Sequence, residues 1–226
     1  MKEENRSRLV SSLHLAMYLI SLFSFVFSAI YAEQLLASLG HRDPDEYKLV
    51  IIQSLLGAVA LNLPLVSERL LRLRAPRGLS LLFTVFLWSS VFLGEALGFY
   101  YRFAHWDDLL HLVSGAMLFY LGLLIFRQAG VDTKKRPLVP IAFAFFFALS
   151  VGALWEIYEY ICDGALGINM QKFADGSAIS DGLTPLIGRE ALRDTMEDLT
   201  VDAMASLLSA AAGYLILRQK AMWTQK

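Results

Sequence analysis

The chain has 226 residues, 56% of them hydrophobic and 18% charged, with a formal net charge of −1. Charged residues fall below the usual quarter of a soluble domain, and the near-neutral balance gives no electrostatic basis for a nucleic-acid partner. A lone cysteine, Cys162, excludes an intrachain disulfide and a cysteine-based metal cage, and the length suits one integral membrane domain, 1–226, with no separate soluble domain.

A helix needs about 20 apolar residues to cross the hydrocarbon core. Six stretches meet or approach that length: 9–32, 49–66, 79–100, 109–126, 138–162 and 199–217. A spanning backbone must satisfy its own hydrogen bonds, and strand-like alternation is absent, so the expected fold is all-α, a bundle of six transmembrane helices. The first stretch exceeds the apolar region of a signal peptide, and residues 29–32 match a cleavage site poorly, so it reads as an uncleaved anchor.

Orientation follows from the basic residues. Fourteen of the 20 lysines and arginines lie at the N-terminus, in the second and fourth loops and at the C-terminus. The other side carries Arg42, Lys48, Arg102, Lys172, Arg189 and Arg193, although it includes the longest loop. Both termini are therefore expected in the cytoplasm, with the protein in the plasma (inner) membrane and the lipid bilayer as its solvent. Tyr100, Tyr101, Trp106, Tyr158 and Tyr160 suit an aromatic belt at the outer interface. The loop 163–193 is rich in Gly and Asp and long for a structureless connection. It is expected to cap the outer face or to be mobile.

Acidic residues gather at the outer ends of the last four helices. Glu95 lies between Gly94 and Gly98, and the fourth helix opens Trp106-Asp107-Asp108-Leu109-Leu110-His111. The fifth ends with Glu156, Glu159 and Asp163, and the sixth begins with Asp194, Glu197, Asp198 and Asp202. Residues three or four apart share a helix face, which pairs Asp107 and Asp108 with His111, Glu156 with Glu159, and Asp198 with Asp202. At about 1.5 Å per residue, Glu95, His111, Glu156 and Asp202 come within roughly 5–12 Å of their outer helix ends. Small residues four apart (Ala148 and Gly152 before Glu156; Ser206 and Ala210 after Asp202; Gly115 after His111) mark contact faces, so the acids are expected to point into the bundle.

Some of these acids have simpler roles. Asp107 and Asp108 sit where helix caps belong, and Asp194 with Glu197 reads as a capping box. Asp198 and Asp202 lie too far along the helix for that. Glu95, Asp108, Glu156, Glu159, Asp198 and Asp202 together would cost on the order of 10 kcal/mol to bury. The charge candidates to offset them are His111 and, from the loops, Arg102, Arg189 and Arg193. Either some acids carry protons, or a cation sits among them, or water fills a cavity there.

The segments Gly94-Glu95, Gly98-Phe99-Tyr100-Tyr101, Trp106 to His111, Ser114-Gly115, Trp155-Glu156, Glu159, Asp194 and Asp198 resemble the bacterial inner-membrane family represented by the YjdF protein. The resemblance covers about residues 80–215 and implies an integral membrane protein without implying a particular activity. A fainter likeness to VanZ-like membrane proteins rests on Asp107 four residues before His111 and on Arg193, Asp194 and Asp198. Asp202 or Ser206 stands where that family has asparagine. This second resemblance implies chemistry of the cell envelope.

The residue types themselves leave three functions open. The first is a divalent metal site formed by Glu95, Asp107, Asp108, His111, Glu156, Glu159, Asp198 and Asp202. Its carboxylates suit hard cations, and its imidazole widens the choice to zinc, manganese or iron. A metal there would activate water against a lipid or envelope-derived substrate. The second is a proton- or cation-coupled transporter, since intramembrane acids form ion relays, although no inverted repeat is visible. The third is a non-catalytic structural membrane protein whose acids bridge helices through water.

Overall fold

The computed structural model describes residues 2–40, 44–130, 138–175 and 184–223. Arg42, the basic residues Lys134, Lys135, Arg136 and Lys226 counted for orientation, and positions 176–183 of the long loop lie outside these. Helix dominates. The chain runs through α1 (Lys2–Ser38), α2 (Pro44–Ala60), α3 (Leu63–Leu71) and α4 (Arg77–Leu87). It continues from α4 as a π-helix over Trp88–Ala96, then forms the one-turn α5 (Phe99–Arg102). The long helices α6 (Trp106–Gln128), α7 (Leu138–Leu166) and α8 (Arg193–Trp223) follow. Between α7 and α8, β1 (Ala174–Asp175) and β2 (Thr184–Pro185) form a two-residue antiparallel ladder.

Among the described residues, four helical stretches are long and apolar enough to cross a membrane: Ser7–Ser38, Arg77–Ala96, Trp106–Gln128 and Leu138–Leu166. The expected second span, 49–66, is two helices bent by 42° to one another. Pro64 in the first turn of α3 has no N–H to continue the ladder from α2, so the chain turns at Leu61 and Asn62. Together the two halves make a fifth candidate. The expected third span, 79–100, ends early because Gly98 adopts φ 68°. That left-handed conformation suits glycine and turns the chain into α5.

Two groups of three helices result. In the first, α1 packs on α2, α4 and the π-helical stretch. Its cores are Phe25, Leu61 and Val91, and Ala32, Leu36, Val50 and Ala96. Buried hydroxyls bridge the same helices: Ser54 Oγ donates to Ser28 Oγ at 3.3 Å, and Trp88 Nε1 to Ser24 Oγ at 3.1 Å. In the second, α6, α7 and α8 pack mutually around Phe119, Ile141, Ala144, Ala148 and Ala210. Their close approach needs glycine. A Cβ at Gly122 would lie 2.8 Å from the Ala144 Cα, and one at Gly115 would lie 2.9 Å from the Ala205 Cβ.

The two groups meet mainly where α4 touches α6. At the end of α6 remote from its acids, the Arg74 N–H donates to Gln128 Oε1 at 3.0 Å, and Gln128 Nε2 donates back to the Arg74 carbonyl at 2.9 Å. Arg77 Nη1 donates to Ser7 Oγ at 2.6 Å, which places the start of α1 at that same end. Apolar side chains cover the outside of both groups. Phe23, Val59, Leu70 and Leu154 are among those exposed, as suits a surface that meets lipid.

Candidate functional site

The first turns of α6 and α8 lie side by side with the last turns of α7. Asp107 and His111 are four residues apart on α6, as are Asp198 and Asp202 on α8, so each pair presents to one face. The His111 ring stands between the two helices. Its Nε2 lies 3.8 Å from Asp107 Oδ1 and 3.8 Å from Asp198 Oδ1. Its Nδ1 lies 3.4 Å from Asp202 Oδ1. Ser114 Oγ, one turn along, donates to the His111 carbonyl at 2.9 Å and reaches Asp202 Oδ1 at 3.4 Å. The burial is severe: His111 is 8% exposed, Asp198 3% and Asp202 2%.

Gly152 explains how Asp202 comes so close to α7. A Cβ at that position would collide with the Asp202 carboxylate. Glu156, one turn on, is 5% exposed. Neither of its carboxylate oxygens has a hydrogen bond of good geometry among the described residues. The neighbouring Thr195 hydroxyl accepts from Gln171 Nε2 at 2.8 Å. Glu156 is in electrostatic reach of His111, Asp194 and Asp202, and Glu159 is in reach of Glu156, Asp107, Asp198 and His111.

Asp107, His111 and Asp198 each offer one ligand atom, and these atoms lie within 4.8 Å of one another. Two ligands about 2.1 Å from a shared ion sit roughly 3–3.5 Å apart, so the 3.8 Å separations at His111 need only small closure. Asp202 lies 3.4 Å from the opposite ring nitrogen, without a hydrogen bond of good geometry, on the side from which carboxylates orient ligating histidines. Glu95 is half-buried in the π-helical stretch and lines the same cavity as Asp107, His111, Glu159 and Asp202.

Asp108 goes elsewhere. Its Oδ2 accepts from His105 Nδ1 at 2.8 Å, and its side chain is 42% exposed. Neighbouring helical residues point about 100° apart, so Asp107 and Asp108 cannot both face the cluster. Neither aspartate acts as a side-chain cap of α6, whose N-cap residue is His105. The capping box expected at α8 is likewise replaced. Asp194 Oδ1 takes Lys172, and Glu197 pairs with Arg193 at 2.8 Å.

Lys172 is the cation that reaches the cluster from the loops, in place of the three arginines considered. Asp163 at the end of α7 accepts the N–H groups of Met170 and Gln171 at 2.7 and 3.0 Å. This folds the first part of the long loop back over the helix ends. Lys172, at φ 46°, then sets its Nζ 2.5 Å from Asp107 Oδ2 and 2.8 Å from Asp194 Oδ1. Burial disfavours its ammonium, but the two carboxylates outweigh burial and hold its pKa above the ordinary lysine value. The sequence clue was that Lys172 is the sole lysine in the loop.

The comparisons with known proteins place the chain in a family. A family model described as "Predicted membrane protein (DUF2238)" matches residues 13–219, and the chain belongs to that family. No curated protein and no solved structure matches it.

Lys172→Met should cost about 1 kcal/mol, the scale of a partly exposed ion pair, seen as a lower Tm in detergent. Arg193→Gln, which removes exposed pairs with Glu190 and Glu197, should leave Tm unchanged. Because the Lys172 pKa is raised on folding, its contribution is complete below about pH 10.4 and is lost only as pH rises through the raised value. The Tm difference between wild type and Lys172→Met should therefore stay constant from pH 6 to about pH 9. A difference that vanished within that range would contradict the assignment.

Proposed function

We propose that this is a six-span inner-membrane protein with a divalent metal centre near its non-cytoplasmic face. In this reading α8 is the sixth span, because it packs along α6 and α7, both long and apolar enough to cross. The excess of lysine and arginine at the opposite helix ends puts both termini in the cytoplasm. The centre consists of Asp107, His111 and Asp198 as ligands, with Asp202 orienting the imidazole. Glu95, Glu156 and Glu159 surround it.

The observation that carries the reading is the convergence of these three ligand atoms beside Glu156, a buried carboxylate that has no hydrogen bond of good geometry among the described residues and only the Thr195 hydroxyl close by as a donor. Such a group calls for a positive partner or a proton. Lys172 supplies one positive charge, but it is already shared between Asp107 and Asp194. A cation held by two carboxylates and one imidazole would offset part of the remainder.

Asp107, His111 and Asp202 also line a cavity. An ion at the centre would therefore keep a coordination position open to it, as catalytic sites do and closed structural sites do not. We take its chemistry to be Lewis-acid or water activation on a lipid or envelope-derived substrate. The transporter reading lacks support of this kind, because the acids gather at one end of the bundle. The helix ends at Arg74 and Gln128 offer no matching cluster among the described residues.

Metal content measured by mass spectrometry on detergent-purified protein should give about one divalent ion per chain. His111→Ala and Asp198→Asn should abolish it, and Asp108→Asn should retain it. Absence of metal, with no change in Tm on adding chelator or divalent ions, would overturn the proposal. Reporter fusions at the C-terminus and within 176–183 should report cytoplasmic and external positions respectively, and the reverse would overturn the orientation.

A further inference from the structure

The cavity beside the proposed centre has a volume of about 1050 Å³, at the upper end of small-molecule sites. It occupies the joint between the two helix groups, and its lining changes character along its length. Leu63, Val66, Leu70, Leu79 and Phe83 line one part, and Glu95, Tyr100, Asp107, His111, Glu159 and Lys172 line another. Leu79 and Glu95 belong to one continuous helical run, which at about 1.5 Å per residue separates them by about 24 Å. Leu121 and Asp107, both in the lining and both on α6, are about 21 Å apart on the same basis. The cavity thus extends through most of a hydrocarbon core about 30 Å thick. Its acids lie at one end, and leucines and phenylalanines fill the rest, interrupted by a few hydroxyls and Gln53.

An amphiphile with one polar head and a long hydrocarbon tail matches that shape, whereas a compact water-soluble ligand would leave the apolar length unfilled. The charge at the head end selects further. Among the described residues Asp107, Glu159 and Asp202 line it against Lys172 and His111, and Glu156 and Asp198 stand behind. A divalent ion would reduce this acidic excess without removing it. We propose that the cavity binds one membrane amphiphile whose headgroup bears an ammonium, its tail lying along α4 and α6 and its head beside Glu159 and the His111 centre. The proposal rests on the reading above for where the head goes. Its charge argument holds with the ion or without it.

The test uses the full chain in nanodiscs. Phosphatidylethanolamine and phosphatidylglycerol with identical acyl chains are titrated against a fluorescent amphiphile in the cavity, with and without chelator. The ethanolamine lipid should bind about tenfold more tightly, the scale of one hydrogen bond to a charged group, and chelator should leave that ratio intact. Glu159→Gln should collapse the preference. Ala60→Phe, in the apolar lining, should weaken both lipids equally and leave the ratio unchanged. Equal binding of the two lipids would overturn the proposal, as would tighter phosphatidylglycerol binding or an Ala60→Phe protein that binds as wild type. A preference abolished by chelator would also overturn it, by assigning head recognition to the ion. Absence of metal with the preference preserved would overturn the metal reading alone.

Discussion

A carboxylate inside the hydrocarbon layer needs a positive neighbour, a proton or water, and the polar end of this protein is organised by that requirement. Three helices deliver their acids to a common depth, and His111 is the group they converge on. Asp107 and Asp198 face one ring nitrogen and Asp202 the other. Ser114 ties the His111 backbone to Asp202, donating to the His111 carbonyl and reaching Asp202 Oδ1, and the buried ring is surrounded by carboxylates from two helices.

The packing that permits this is a consequence of small residues. Gly115 and Gly122 let the α6 backbone approach α8 and α7, and Gly152 leaves the space that the Asp202 carboxylate fills. Without these positions the three helices would stand further apart and the acids would be separated by hydrocarbon. The other helix group plays a different part. It touches the acidic group chiefly through α4, and the gap that remains becomes the cavity. The π-helical stretch Trp88–Ala96 places Glu95 at the acidic end of that gap. Widened helical turns of this kind often occur at functional sites. Tyr100 folds back over Gly94, where a Cβ would meet its ring, and shares a hydrogen bond with Ser90 at 3.0 Å.

Much of this was readable from the residues. The stretches 109–126 and 138–162 lie within Trp106–Gln128 and Leu138–Leu166, because long apolar runs bounded by polar residues leave little choice. The four-residue spacing of Asp107 and His111 gave their shared face directly. Asp108 could have been set apart by the same geometry, since its neighbour already occupied that face. Other features leave weaker traces. The break before Pro64 falls inside a leucine-rich run whose apolarity only Asn62 interrupts, and a π-helical stretch has no compositional mark. Lys172 acts through the path of a loop, which periodicity does not encode. The turn that directs it depends on Asp163 accepting two backbone N–H groups seven and eight residues ahead.

If His111 and its flanking carboxylates hold a cation as proposed, the ion's ligand sphere must contain the imidazole. X-ray absorption on protein loaded with zinc or manganese should show one imidazole nitrogen and carboxylate oxygens at about 2.0–2.2 Å. The nitrogen contribution should be absent in His111→Ala. An all-oxygen sphere unchanged by that substitution would contradict the account.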